Sequence, residues 1–385
     1  MLSSIAKLWE RLYLPRPLKV INIKNILPDI QFGFRAKHAT IEQIHRVTNF
    51  IEKALEKGEY CVSAFLDVAQ AFDKVSYKLL IKMLANLLPA CHVRLIQSYL
   101  SDRTFRDILF IGHFYWTFPP VTILAGVPEG SVLGPLLYLL FTSDIPAPTR
   151  KSLLGKYADD TTYLSSNKSQ ELATLELQDN LQNFYNWTSE KDIKLNCAKT
   201  IYKIFSNRSI KDINIIFNKV LLKPSEVAKY LGIHLDTKLK WKEHIKIKRE
   251  ECLFKLKKLY WLIGKKSKLS ISNKLLLYKQ IVRTTWAYGA QIWGCAARSN
   301  IEILQRVQNR ALRQIVGARW YERNSDIHRD LGMETVSQFI TKVATNYERR
   351  LHHHPNTEAL LLLDNSNEFR RLKRVKPWEL ASPLV

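Results

Sequence analysis

The sequence predicts an α+β protein, strands mixed with helices at first and helices alone later, on three observations. Runs of strand formers such as YCVSAFLD at 60–67 alternate with helical periodicities up to about residue 235. Residues 237–283 then hold 15 Lys or Arg against 3 Glu at helical spacing. No repeat of 20–50 residues and no low-complexity tract is visible, which removes solenoids and propellers. A chain of 385 residues, 46% apolar, has the material for two or three domains with a sizeable core.

Charge narrows the function classes. Lys and Arg number 59 against 35 Asp and Glu, a formal balance of +24 that points to an acidic partner, nucleic acid first. The densest apolar stretch, VLGPLLYLLF at 132–141, is too short to span a bilayer and contains a proline, so no membrane partner is expected. Five scattered cysteines without a Cys-x-x-Cys read as reduced thiols of an intracellular protein. The first 24 residues are basic and amphipathic with Glu10 the sole acid, either a transit-peptide composition or the entry to the domain downstream.

The elements follow in order. Thr40-Ile-Glu-Gln43 has the form of a capping box, and Ile41, Ile44, Val47, Ile51 and Leu55 recur at helical spacing until Gly58. The strand over 60–67 ends on Asp67, and Ser76 opens a helix through Leu88. Residues 99–125 read as short strands or a hairpin, and 126–142 as a Gly/Pro loop entering an apolar helix. KYADDTTYL at 156–164 reads as two strands about an Asp-Asp turn, 169–190 as an amphipathic helix and 200–235 as strand-rich. Residues 300–350 continue helical, and the tail after Pro355 reads as loosely ordered.

Asp67 and the pair Asp159-Asp160 are the sharpest chemistry. Alone, each reads equally as a strand end or a turn; together, two strand-borne carboxylate sites suit two magnesium ions, hard cations that take oxygen ligands. Five ordered blocks surround them: QFGFR at 31–35 with HAT at 38–40, FLDVAQAFDKV at 65–75, GVPEGSVLGPLLY at 126–138, YADD at 157–160 and IKLNCAKT at 193–200. YLGIHLDTKLKWKEHI at 230–245, YGAQIWG at 288–294 and LQRVQNRALRQIVGA at 304–318 follow. With these blocks the chain resembles the reverse transcriptases of non-LTR retrotransposons, the arthropod jockey-like elements in particular.

The resemblance implies a right-hand polymerase with partial fingers, a palm built on an antiparallel sheet and a helical thumb. It divides the chain into fingers and palm over 1–235, a basic thumb-like region over 236–300 and a C-terminal helical region and tail over 301–385. The implied activity is RNA-directed DNA synthesis, adding dNTPs to a DNA primer on an RNA template with Mg²⁺, or Mn²⁺ in its place. Asp67 and Asp159 are then the metal ligands, with the Val68 carbonyl and Asp160 beside them. Phe72 matches the aromatic steric gate that favours deoxynucleotides, or is ordinary core. Gly126, Pro128, Glu129, Gly130 and Ser131 match the loop under the incoming nucleotide. Lys199 matches a lysine that helps neutralise leaving pyrophosphate, or is a surface lysine. Tyr230, Leu231 and Gly232 match a primer-grip hairpin, and Lys238, Lys240, Trp241 and Lys242 open the basic helices expected on nucleic acid. Trp241, Tyr260 and Trp261, interleaved with these lysines, are expected to offer stacking surfaces.

Two departures from the family pattern stand out. Glu129 occupies a position where the family usually has Gln, and a carboxylate near a triphosphate adds repulsion, so slow or error-prone synthesis is expected, relieved by Glu129→Gln. Met1 stands where an R-P-I-S-L block should already have passed, which reads as an N-terminal truncation and admits a catalytically inactive remnant retaining only nucleic-acid binding. No endonuclease, Cys/His knuckle or ribonuclease H carboxylate set is visible, and His352-His353-His354 reads as a solvated tract. The family resemblance places the product in the nucleus.

Overall fold

The computed structural model describes residues 3–68, 70–106, 108–111, 114–128, 130–149, 151–363 and 370–381. The chain opens with two helices, α1 (Ser4–Tyr13) and α2 (Pro15–Ile23), then α3 (Thr40–Lys57) and strand β1 (Tyr60–Leu66). Helices α4 (Tyr77–Leu87) and α5 (Ala90–Leu100) follow, with the small strands β2 (Thr104–Phe105), β3 (Ile108–Ile111), β4 (Phe114–Thr117) and β5 (Val121–Thr122). Helix α6 (Gly134–Phe141) leads to the hairpin β6 (Ser152–Tyr157) and β7 (Asp160–Asn167), helix α7 (Gln170–Glu190) and β8 (Ile201–Phe205). The strands end with β9 (Ile216–Phe217), β10 (Val220–Leu221), β11 (Lys223–Pro224), β12 (Ala228–Tyr230) and β13 (Ile233–Leu235).

Beyond them the described chain is helical: α8 (Lys242–Lys258), α9 (Tyr260–Ile263), α10 (Ile271–Leu277), a π-helical turn over 278–283, α11 (Thr284–Ala287) and α12 (Ala290–Trp293). Then come α13 (Arg298–Val316), α14 (Asn324–Asp330), α15 (Val336–His352) and α16 (Thr357–Leu360). The expected change from mixed to helical structure after residue 235 is therefore observed.

The central sheet has the order β11-β8-β1-β7-β6, antiparallel except for the β11–β8 pair. Strand β1 is covered on both faces, which is why its sequence is almost continuously apolar. Val62, Ala64 and Leu66 pack against Leu177, Leu181 and Phe184 of α7. Cys61 and Phe65 point the other way, into a cluster shared with Ile44, Val47 and Ile51 of α3. That second cluster continues without a break through Trp241, Trp286, Trp293 and Ile340, so the helical region packs on the sheet face that α3 occupies. A third cluster, including Leu80, Leu84, Ile96 and Leu137, holds α4, α5 and α6 together.

Three expectations need correction. The cap of α3 sits one residue earlier than the Thr40 box: Ala39 is the N-cap and Glu42 reaches back to its amide at 2.7 Å, while Gln43 turns inward to Tyr230. The histidine tract is not uniformly solvated, because His354 is buried with Nε2 2.9 Å from the Lys37 carbonyl oxygen. Nor is the described tail loose: Leu362 and Lys376 are buried against the body of the protein. The opening helices also belong to the fold, since Glu10 is fully buried and its carboxylate accepts hydrogen bonds from the Val132 and Leu133 amides ahead of α6.

Candidate active site

Asp67 leaves the end of β1 with both backbone groups fixed by the 193–200 segment. Its amide donates to Thr200 Oγ1 at 3.3 Å and its carbonyl accepts from the Asn196 amide at 2.9 Å, while Val68 bridges Leu195. The β1–β7 register pairs Leu66 with Thr161, so one residue further on Asp67 lies opposite Asp160. Between β6 and β7 the chain turns on only Ala158 and Asp159, because Tyr157 pairs directly with Asp160. Ala158 takes a left-handed conformation, φ 59°, in a turn that favours positive φ.

The QFGFR block holds that turn. Gln31 Oε1 accepts from the Ala158 amide at 3.2 Å and from the Gly33 amide at 3.1 Å, and the Phe32 amide donates to the Lys156 carbonyl at 3.2 Å. A Cβ on Gly33 would stand 2.2 Å from the Ala158 nitrogen, so only glycine permits this approach. Sequence reasoning noted the block but assigned neither residue a task; the signal was the glycine between two aromatics.

The carboxylates repel one another. Crowding by surrounding protein, then Asp159, then Asp67, raise Asp160 to about 6, although part of its side chain still meets solvent. Asp159 also adds to the burial that pushes the Tyr138 hydroxyl up. Asp67, Asp159 and Asp160 have no ion pair among the described residues. Nor do any three His, Cys, Asp or Glu side chains among them already stand as a metal cage. All three are oxygen donors with no ion pair among the described residues, the chemistry that suits a hard divalent cation.

Around this cluster the other expected residues are placed as follows. Phe72 is half-buried, stacked on Tyr138 at 4.9 Å and edge-on to Phe34 at 5.8 Å. Its carbonyl accepts from the Val127 amide at 2.8 Å, tying it to the 126–131 loop. Gly126, at φ 94°, would put a Cβ 2.7 Å from the Asp73 carbonyl oxygen. Pro128 and Ser131 are buried within the loop, Ser131 Oγ accepting from the Gly134 amide at 2.8 Å, and Gly130 is exposed at its tip. Glu129 lies outside the described residues. Lys199 is exposed and directly precedes Thr200, which binds the Asp67 amide.

Tyr230 and Ile233 close a two-residue hairpin in which Leu231 and Gly232 both have positive φ, 43° and 81°. Tyr230 is buried beside Phe65, its hydroxyl 3.2 Å from Gln43 Nε2, and Tyr288 donates to the Leu231 carbonyl at 2.8 Å. Lys238, Lys240 and Lys242 are exposed, and Asp236 accepts from the amides of Lys238, Lys240 and Trp241. Trp241 itself is 1% exposed and packs in the core, so its ring offers no stacking surface; Tyr260 and Trp261, 55% and 73% exposed, remain accessible.

The family model described as reverse transcriptase (RNA-dependent DNA polymerase) matches residues 1–235, well over half of the chain. The chain belongs to the reverse transcriptase family. Its jockey-like character is borne out too. It is 40% identical over 383 residues to a Drosophila melanogaster protein described as "Probable RNA-directed DNA polymerase from transposon BS", covering 97% of this chain and 42% of that one. It is 37% identical over 395 residues to the RNA-directed DNA polymerase from mobile element jockey of the same species, covering 99% and 43%. This reverse transcriptase chain therefore spans less than half the length of these curated relatives. A solved telomerase from Candida tropicalis in complex with a fragment of telomeric RNA shares 12% identity over 93% of this chain and 53% of that one, with a TM-score of 0.45. No helix among the described residues is long and apolar enough to cross a membrane.

Proposed function

We propose that this chain copies RNA into DNA, joining deoxynucleotides to a primer 3′-hydroxyl on an RNA template. The observation that carries the reading is the carboxylate cluster: Asp67 on one strand opposite the Asp159–Asp160 turn, mutually repelling and unpaired. Magnesium, with manganese as a substitute, is the cation this donor set suits; held by Asp67 and Asp159 with Val68 and Asp160 alongside, it supplies charge neutralisation at the triphosphate and the attacking hydroxyl.

The chain's own residues supply position and charge, which is most of what phosphoryl transfer needs. Phe72, braced by Tyr138, serves as the steric gate against a ribose 2′-hydroxyl. The loop of Gly126, Pro128, Glu129, Gly130 and Ser131 supports the incoming dNTP, and exposed Lys199 offsets the charge of departing pyrophosphate. The Tyr230–Leu231–Gly232 hairpin holds the DNA primer, and Lys238, Lys240 and Lys242 neutralise template–primer phosphates. We assign fingers and palm to 1–235, a thumb to 236–300 and a C-terminal helical unit to 301–385, with the nucleus as the place of action.

Primer extension on an annealed RNA template and DNA primer tests this, run beside Asp159→Asn. Extension by the parent and none by Asp159→Asn, with duplex binding retained in both, is the expected result. Synthesis surviving in the variant sinks the metal-site assignment; no synthesis by either, with binding intact, identifies an inactive remnant.

A further inference from the structure

Outside the carboxylate cluster, a groove runs where α8 packs against α13. Its depth is concentrated in three adjoining cavities of about 500, 510 and 860 Å³. Lys246, Arg249 and Lys257 line it from α8, and Arg306 and Arg310 from α13, at spacings that put each set on one helix face. Further along, Lys265, Arg313 and Arg319 surround the loop after Gly317, and no Asp or Glu side chain lines any of the three cavities. Glu302 approaches only the edge, 4.0 Å from Arg306.

The charges are available. Among the described residues the side chains of Lys246, Arg249, Lys257, Lys265 and Arg310 have neither ion pair nor hydrogen bond. Arg313 is committed otherwise, its guanidinium donating to the carbonyls of Arg319 and Glu322 and so shaping the loop that ends the groove. That loop projects Trp320, 90% exposed, beside Tyr321 at 5.8 Å, and Tyr260, 55% exposed, lines the groove across from it.

A row of cations, all but Arg306 without an acid partner among the described residues, selects a polyanion, and the aromatics select which one. Paired bases keep their faces inside the stack, so exposed rings beside phosphate-binding cations are useful to unpaired bases. From Lys246 to Tyr260 the groove runs on the order of 20 Å, room for a few phosphates.

We propose that the α8–α13 groove binds a single strand of nucleic acid, phosphates along Lys246, Arg249, Arg306 and Arg310 and an unpaired base on Trp320. This adds a second nucleic-acid site, on elements other than those carrying Asp67 and Asp159, and it does not depend on polymerisation. The full chain is titrated, in EDTA and without nucleotides, with a fluorescent oligo(U) 12-mer and separately with a blunt RNA–DNA duplex. Arg306→Gln/Arg310→Gln and Trp320→Ala each weaken oligo(U) on the order of tenfold and leave the duplex unchanged, and the double variant lowers the logarithmic salt slope by about 1.4.

Unchanged oligo(U) affinity overturns the proposal. So does a parallel loss of duplex affinity, which would make the groove part of the template–primer site. Polyglutamate competing as well as unlabelled oligo(U) also overturns it, since the partner would then be any acidic chain. Should the double arginine variant fail to fold, tryptophan quenching decides: oligo(U) quenches the parent, and the Trp320 share of that quench vanishes in Trp320→Phe. An undiminished quench in that variant rejects base stacking there.

Discussion

At the scale of single residues, the site depends on close approaches more than on the carboxylates' own contacts. A methyl group on Gly33 collides with the backbone of Ala158, so Gly33→Ala must displace the turn that carries Asp159. We expect that variant to stay folded and lose most extension activity, at least about 100-fold, since displacements near 1 Å cost that much in positioned catalysis. Normal extension by Gly33→Ala removes the positioning role. Phe72→Ala, which opens the space before Tyr138, is expected to raise ribonucleotide incorporation relative to deoxynucleotides in a competition assay; an unchanged ratio leaves Phe72 as core.

At the scale of elements, α3 is the hub, and it holds its place through buried charge. Lys376 lies 2.8 Å from Glu56 and 3.6 Å from Glu52, all three nearly inaccessible. Burial would raise Glu56, but Lys376 and the amides of Leu372 and Arg371 outweigh it and hold the carboxyl below its usual range. Lys376→Ala removes the buried cation that Glu52 and Glu56 share, and we expect a loss of about 3–5 kcal/mol in denaturant unfolding at neutral pH. His45, also on α3, sits 3.0 Å from the Tyr347 hydroxyl, and burial, then Lys53, lower its imidazole to about 4. Below about pH 6.5 the unfolded chain takes a proton that the folded one refuses, so stability falls as pH drops from about 6.5 to about 4. His45→Gln is expected to flatten that acid limb by roughly 3 kcal/mol; an unaltered pH–stability curve contradicts it.

Much of this element scale was legible in the sequence. Strand β1, the Asp-Asp hairpin and helices α3 and α7 announce themselves through a short apolar run, a turn between two such runs, or apolar residues at helical spacing. Local patterns could not show that Trp241 turns into the core rather than outward, since its left-handed backbone and the three amides gathered by Asp236 arise from a turn without glycine. They also could not show that Glu10, Glu42, Glu52 and Glu56 are buried, because Val132, Arg350 and Lys376, which meet them, lie far away in sequence. Asp67 and Asp159 could be named from their motifs, whereas Gln31 and Gly33 acquire their roles only when the 31–33 segment meets the edge of β6.

At the scale of the whole molecule, the positive excess resolves into two parts. Some lysines are structural: Lys156 is buried, donates to the Thr142 carbonyl at 2.8 Å, and is lowered to about 7 by desolvation. Other cations, such as Lys246, Arg249 and Lys257 of α8 and Arg310 of α13, are exposed and have no ion pair or hydrogen bond among the described residues. Total binding to RNA is therefore expected to fall steeply with salt, by about 0.7 in logarithmic slope per phosphate held on single strands, and an affinity indifferent to salt contradicts a charge-driven interface.

The ties between α3 and the chain's last described segments also set a schedule. Glu42, Arg46 and Glu56 find Arg350, Glu358 and the Arg371 amide 308, 312 and 315 residues later. A ribosome adding roughly 5–20 residues per second needs on the order of 15–60 s to deliver those partners after α3 has emerged. Throughout that interval the hub helix exposes acids meant for burial, so the nascent sheet region is an incomplete, chaperone-accessible intermediate until residues 350–371 are made.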